Sequence, residues 1–114
     1  MKSRVTKNIG GAQNMNSMIK QAQKMQDEIT ELQNDIEARD FSATSGGGAV
    51  EVVVTGAKNI KALTIKPEVV DKDDVEMLQD LIISAINEAM ADVEKTTEEE
   101  MNKITGGVAL PGLF

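Results

Sequence analysis

Three consecutive glycines, Gly46 to Gly48, are the residues whose type and spacing most suggest a ligand-binding site, namely a phosphate-binding loop. Glycine-rich loops cradle phosphate when they run into a helix N-terminus, and the Walker type adds a Lys-Ser/Thr pair. Here the glycines precede Val50, Val52 and Val54, a period-two β-branched pattern that predicts a strand. The sequence therefore favours a hairpin turn over a nucleotide site, because glycine supplies the positive φ that tight turns require.

The sequence contains few residues suited to catalysis or to metal binding. The chain has no Cys and no His, which leaves carboxylates, Lys and Ser/Thr for any catalysis. The acidic run Asp71–Glu76 could suggest a calcium loop, but it lacks the glycine and the distal bidentate glutamate of an EF-hand. We therefore expect no enzyme, no metal, no cofactor and no small-molecule substrate.

Composition and charge indicate a single small domain with two electrically different parts. The 114 residues are 40% hydrophobic with two aromatics, so the core must consist of aliphatic side chains and Met. Residues 1–26 carry +5, and the remaining seven bases and nineteen acids carry −12, which together give the net charge of −7. The basic residues of the first part are Lys2, Arg4, Lys7, Lys20 and Lys24. This polarity suggests that one end meets an anion, although a solvated basic tail would look the same.

The expected cellular location is based on two kinds of segment that the sequence does not show, a membrane span and a secretory signal. No apolar run approaches the roughly 18 residues of a membrane span, and the N-terminus has no apolar block of a secretory signal. We expect a cytoplasmic protein that does not contact membranes.

The first helix is predicted from about Asn14 to Glu37. Its apolar residues follow the spacing 3, 4, 3, 4, 3, 4 of a heptad seam. They are Met15, Met18, Ala22, Met25, Ile29, Leu32 and Ile36. Residues 1–13 have no apolar period and contain Gly10-Gly11, so we interpret them as a flexible basic arm and residues 14–114 as one domain.

Three strands and a second helix are predicted after the first helix. The strands fall at about Arg39–Thr44, Ala49–Thr55 and Asn59–Lys66, close enough in sequence to form an antiparallel meander. The second helix is expected to begin with Asp71 or Asp73 as its cap and to end at Gly106-Gly107. The apolar tail, residues 108–114, is expected to dock on the body.

The predicted helices are too long for the sheet between them. Strands of about seven residues span roughly 23 Å, whereas helices of about 24 and 33 residues span roughly 36 and 50 Å. Because a small sheet cannot cover both apolar stripes, we expect a homodimer. Its interface is assigned to Met15, Met18, Ala22, Met25, Ile29, Val50, Val52, Leu78 and Ile82.

Four segments, in register over nearly the whole chain from Asn14, resemble one known family. They are "MIKQAQKMQDEITELQ" (18–33), "GGGAVEVVVTG" (46–56), "EMLQDLIISAINEAM" (76–90) and "GGVALPGLF" (106–114). The chain is similar in these segments to the YbaB/EbfC family of bacterial nucleoid-associated proteins. The resemblance implies an α+β fold of order α-β-β-β-α, a tweezer-like homodimer with protruding helices, and DNA binding in the nucleoid.

Two functional hypotheses remain open at the level of the sequence. The first is a dimer that binds double-stranded DNA with little sequence preference through the five basic residues, and that influences nucleoid organisation and transcription. If about six of the ten basic charges of a dimer contacted phosphates, log affinity would fall with log salt at a slope near −5. The second is a dimeric structural adaptor that clamps a protein partner and does not bind DNA.

Overall fold

The computed structural model of the chain describes residues 2–106, with side chains described from Asn14 onward. Its elements are helix α1 (Lys2–Ala38), strands β1 (Asp40–Ser45), β2 (Val50–Thr55) and β3 (Ile60–Ile65), a 3-10 turn (Pro67–Val69) and helix α2 (Val75–Thr105). The predicted α+β class and the order α-β-β-β-α are confirmed, and each strand lies within one residue of its predicted bounds. The predicted docking of the tail, residues 108–114, concerns residues outside the described part.

The glycine run forms the hairpin between β1 and β2. Gly46, Gly47 and Gly48 all have positive φ, at 60°, 66° and 91°. The amide of Gly48 donates to the carbonyl of Ser45 at 3.2 Å, and the two strands pair in an antiparallel register. The Ser45 hydroxyl donates to the Leu81 carbonyl at 2.6 Å, which ties the loop to α2. The prediction of a turn is confirmed.

The core lies between α2 and one face of the sheet. The strand order is β1-β2-β3, and Val50, Val52 and Val54 on the central strand are fully buried. Ala85 and Ala89 of α2 pack against this face, and their small side chains allow the helix to approach the sheet closely. Since α2 lies over β1 and β2, strand β3 remains mostly exposed.

Both ends of α2 have conventional caps, although one differs from the prediction. The residue capping the N-terminus is Asp74, whose carboxylate accepts from the amide of Met77 at 3.2 Å. The predicted caps Asp71 and Asp73 are wrong, because the Asp71 carboxylate instead accepts from the Asp73 amide in the preceding turn. At the other end Gly106 adopts the predicted left-handed conformation, with φ 65°.

Helix α1 begins at Lys2, twelve residues before its predicted start at Asn14, and has 37 residues. The helical backbone continues through Gly10-Gly11, which the sequence pattern places at the end of an arm. Glycine lowers helix stability by about 1 kcal/mol per residue but does not forbid the conformation. The flexibility of residues 1–13 stays a prediction.

Among the described side chains of α1, residues 14–38, the buried ones lie in its C-terminal part. Ile29 and Ile36 are buried, as are Met101 and Thr105 of α2, which runs alongside. By contrast, every residue from 14 to 24, hereafter the projecting segment, is exposed. The molecule is accordingly elongated, with extents of 88 × 20 × 18 Å. We call the sheet, α2 and the packed part of α1 the body.

Candidate nucleic-acid interface

The projecting segment contains two exposed lysines. Lys20 and Lys24 are four residues apart, so their side chains share one face of α1. Neither of them forms an ion pair with any residue of the described part of the chain. Two unpaired ammonium groups on a solvated helix face are suited to contacting successive phosphates of a nucleic acid.

The other three basic residues assigned from the sequence lie on the same helix. Lys2, Arg4 and Lys7 belong to the backbone of α1, and their side chains are outside the described part. Along the helix axis, Lys2 and Lys24 are roughly 33 Å apart. All five basic residues therefore belong to one helix, and their contact with DNA stays a prediction.

Acidic residues begin where the projecting segment ends. The second part of α1 contains five carboxylates and no base before Arg39: Asp27, Glu28, Glu31, Asp35 and Glu37. Three of them line a groove of about 430 Å³ between α1 and α2, together with Leu32 and Ile104. Because such a surface repels phosphates, the candidate interface is confined to the lysine-bearing part of α1.

A network of ion pairs joins the end of α1 to α2. Arg39, the one residue between α1 and β1, donates to both carboxylate oxygens of Glu100, at 2.6 and 2.9 Å. It also donates to Asp35 at 2.6 Å. The hydrogen bond from Arg39 lowers the pKa of Glu100, with further help from the charges of Arg39 and Lys103.

The backbone of the same junction is held by Gly56. Its amide donates to the Arg39 carbonyl at 3.0 Å, and a Cβ at this position would overlap the carbonyl oxygen of Ile36. We call Arg39, Asp35, Glu100 and Gly56 the α1 junction. The sequence contains no signal for it, because the Arg39–Glu100 pair spans 61 positions.

The residues assigned to a dimer interface fall into two groups. Met15 and Met18 are 63% and 68% exposed, Ala22 is exposed, and Met25 is half-buried. Half-buried positions on α2 are taken by Leu78 and Ile82. In contrast, three of the assigned residues are buried inside the single chain, at 0–1% exposure: Ile29, Val50 and Val52. These three belong to the core of one copy, so the accessible part of the assigned surface consists of the other six.

Strand β3 adds apolar surface that the sequence prediction missed. Leu63 pairs with Val52, and Ile60 pairs with Val54, so both lie on the face of the sheet that carries the core. They are nevertheless 44% and 53% exposed, because α2 does not extend over β3. The alternating pattern of the strand was a usable signal, but it could not show which strand the helix leaves uncovered.

The described residues form neither a metal-binding cluster nor a membrane-spanning helix. Within residues 2–106, no group of three or more acidic side chains is arranged to hold a metal ion. The carboxylates of Asp71 and Asp74 instead bind backbone amides. No helix of this part is both long and apolar enough to cross a membrane.

The fold and charge distribution define a class: a small α+β protein that presents a basic helical segment beyond an acidic body. The model of the YbaB/EbfC DNA-binding family matches residues 11–108, and the chain belongs to this family. The family is one of nucleoid-associated DNA-binding proteins and not a family of enzymes. The resemblance seen in the sequence is therefore confirmed.

Relatives of known sequence carry the same description. The chain is 51% identical over 107 residues to a nucleoid-associated protein of Clostridium kluyveri, covering 94% of each chain. It is 57% identical over 103 residues to one of Clostridium acetobutylicum, covering 90% of this chain and 92% of the relative. These names agree with the expected association with the nucleoid.

A solved structure shares the fold. The crystal structure of an uncharacterised protein from Helicobacter pylori superposes with a TM-score of 0.64, covering 74% of this chain and 88% of that chain. The two sequences are 24% identical, so the likeness concerns the fold alone.

Proposed function

We propose that this chain binds double-stranded DNA as a homodimer, with little sequence preference, and thereby influences nucleoid organisation and gene expression. The observation that carries the proposal is the exposed Lys20–Lys24 face, which makes no ion pair with the described residues and lies on a segment of α1 that contains no acid. Membership of a DNA-binding family supports the same conclusion.

The nature of the basic groups accounts for weak sequence preference. Four of the five basic residues are lysines, whose ammonium groups act as point charges towards phosphate, whereas base identity is read by forked or amide side chains in a groove. The affinity comes mainly from released counterions and falls steeply with added salt. The acidic body orients the contact, because only the lysine-bearing part of α1 approaches a polyanion without repulsion.

Dimerisation is supported by apolar surface that one copy leaves open. On the body this surface includes Leu78 and Ile82 of α2 and the exposed Ile60 and Leu63 of β3. On α1 it includes Met15, Met18, Ala22 and Met25. A second copy would cover these residues and double the number of lysines presented to one duplex, which raises affinity through simultaneous binding.

DNA binding is tested by titrating a mixed-sequence duplex with the protein at two salt concentrations, using fluorescence anisotropy. We expect Lys20→Glu with Lys24→Glu to abolish binding at moderate salt. The matched control is Lys66→Glu with Lys72→Glu, which makes the same charge change at exposed positions of the body. An equal loss of duplex affinity in both double variants would show that the effect comes from net charge alone, and it would contradict the proposed interface.

Dimerisation is tested separately by sedimentation velocity. We expect Leu63→Glu to shift the protein towards a folded monomer, because it places a charge in the proposed interface. The control is Ala62→Glu, an exposed residue on the opposite face of the same strand. A wild-type chain that sediments as a monomer at micromolar concentration would remove the dimer from the proposal.

The alternative function, a structural adaptor that clamps a protein partner, is favoured by one observation. The projecting segment exposes Met15, Met18 and Ile19 beside its lysines, and flexible methionines suit adaptable protein contacts. Under this alternative the double lysine variant would leave any DNA signal unchanged, and Met15→Ser with Met18→Ser would abolish capture of the partner.

A further inference from the structure

We propose that Arg39 is a positioning residue for DNA binding: its bond to Glu100 sets the direction in which the projecting segment leaves the body. The inference rests on the proposed function and assigns a role to a residue far from the lysines. Arg39 contributes no direct contact to DNA in this scheme. It acts by holding α1 against α2.

The geometry of Arg39 is that of a connection between two helices. Its guanidinium binds both oxygens of Glu100, at 2.6 and 2.9 Å, and such forked pairing restricts orientation as well as distance. Glu100 lies on α2, in the body, whereas Arg39 directly follows the last residue of α1. The pair therefore adds an oriented bond to the body at the base of α1, beside the buried Ile36.

A small rotation at this point moves the lysines a long way. Lys20 precedes Arg39 by 19 residues, which corresponds to roughly 28 Å of helix, so a tilt of about 10° displaces it by roughly 5 Å. Neighbouring phosphates along one strand are separated by a similar distance, within a factor of two. In a dimer, the spacing between two rows of lysines would consequently depend on both α1 junctions.

Asp35 provides an internal comparison. It also binds Arg39, at 2.6 Å, but it lies on α1 four residues earlier. Removing Asp35 breaks a bond between α1 and the residue that directly follows it, whereas removing Glu100 breaks the bond from that residue to α2. The two substitutions delete the same charge at neighbouring positions, yet only the second removes an ion pair between the base of α1 and the body.

The direction of α1 is measured by the distance between spin labels at Gln23→Cys and Ala57→Cys. The natural sequence has no cysteine, so the labels are unique, and dilution with unlabelled protein restricts the signal to one chain. We expect a narrow distance distribution for the parent and for Asp35→Asn. We expect a broader or shifted distribution for Glu100→Ala and for Arg39→Met. A Glu100→Ala distribution identical to that of the parent would overturn the proposal.

The affinity for duplex DNA is a second measurement, in which electrostatics and positioning predict changes in opposite directions for Glu100→Ala. Glu100→Ala removes a negative charge, so electrostatics alone predicts tighter binding to DNA, as for Asp35→Asn. We instead expect Glu100→Ala to weaken binding, by at most about fivefold, the limit set by one partly exposed ion pair. Tighter binding by both variants would contradict the positioning role. If the parent fails to bind DNA, the proposed function fails, while the label distances still decide whether Arg39 directs α1.

Discussion

The body and the projecting segment of this protein differ in what their residues do. In the body, Val50, Val52 and Val54 are fully buried under α2, and their identity is constrained by volume. In the projecting segment every residue is exposed, and the same chain presents lysines and methionines to solvent. We infer that the body determines stability and that the projecting segment determines binding.

This difference has a simple physical origin. A helix contributes to stability mainly through the apolar stripe that it buries, and within residues 14–38 of α1 the buried residues are Ile29 and Ile36. The projecting segment is free to carry charge, because its residues are exposed and pack on nothing in the described part of the chain. Substitutions in the two regions should therefore affect different measurements.

The largest expected effect on stability is at the α1 junction. A methyl group at Gly56 would overlap the backbone of Ile36, so Gly56→Ala should lower the free energy of unfolding by about 3 kcal/mol or more. Urea denaturation at fixed protein concentration measures this change.

Gly47→Ala is the control for that substitution. A methyl group at Gly47 would meet no described neighbour within 4 Å, but the φ of 66° disfavours a side chain, so Gly47→Ala should lower the free energy of unfolding by about 1 kcal/mol. Equal costs at the two glycines would mean that the close approach of Gly56 to Ile36 is relieved by small shifts.

Truncation of one side chain in the body and one in the projecting segment compares their contributions to the free energy of unfolding, and the expected effect is smaller. Val52→Ala removes two buried methyl groups and should cost about 2 kcal/mol. Met18→Ala, at 68% exposure, should change the free energy of unfolding of one chain by less than about 0.5 kcal/mol. Comparable losses, measured by urea denaturation of both variants, would show that the projecting segment also carries stability.

The N-terminal cap of α2 should contribute less again. Asp74→Ala removes the acceptor for the Met77 amide and should cost about 1 kcal/mol. Asp73→Ala is the matched control, since the Asp73 side chain makes no hydrogen bond among the described residues. Thermal unfolding of both variants tests the assignment, and a larger loss at Asp73 would restore the cap predicted from the sequence.

The smallest expected effect is the pH dependence of the α1 junction. The pKa of Glu100 is lowered from its ordinary value of 4.5 by the hydrogen bond from Arg39, so its stabilising contribution is complete above that value. The contribution disappears as the pH falls through the lowered pKa. Arg39 stays charged throughout, and the other charged neighbours are Asp35 and Lys103.

Acid titration of Glu100→Gln against the parent measures this contribution. The difference between their free energies of unfolding should vanish at low pH. A difference that persists below the pKa of Glu100 would place the cause elsewhere.

Local patterns in the chain predicted most of the fold. The alternating valines of β2, the glycines at the hairpin and Gly106 at the end of α2 each follow from backbone preference, and the structure contains all of these features. The start of α1 was missed because Gly10-Gly11 only weakens a helix. The cap of α2 was misplaced because three nearby aspartates satisfy the same pattern, and only the path of the chain selects Asp74.

For the candidate site, too, some features were predictable from the sequence and others were not. Charge order along the chain singled out Lys20 and Lys24, since the acids and bases of α1 occupy separate stretches of sequence; the structure exposes both, and their role in binding stays a prediction. The sequence could not separate Ile29, Val50 and Val52, which are buried in one copy, from the exposed Met15 and Met18, because all of them fit an apolar period.

Periodicity, turn residues and charge order act between neighbours in the chain, so the amino-acid sequence alone predicted the type and order of the elements and the basic end, but not the start of α1. Which apolar faces are covered, and how α1 is held at its base, depend on residues far apart in sequence. Arg39 meets Glu100 across 61 positions, and α2 covers β1 and β2 but leaves β3 open. Such relations arise only when the chain packs, because burial and ion pairing are set by distances in space.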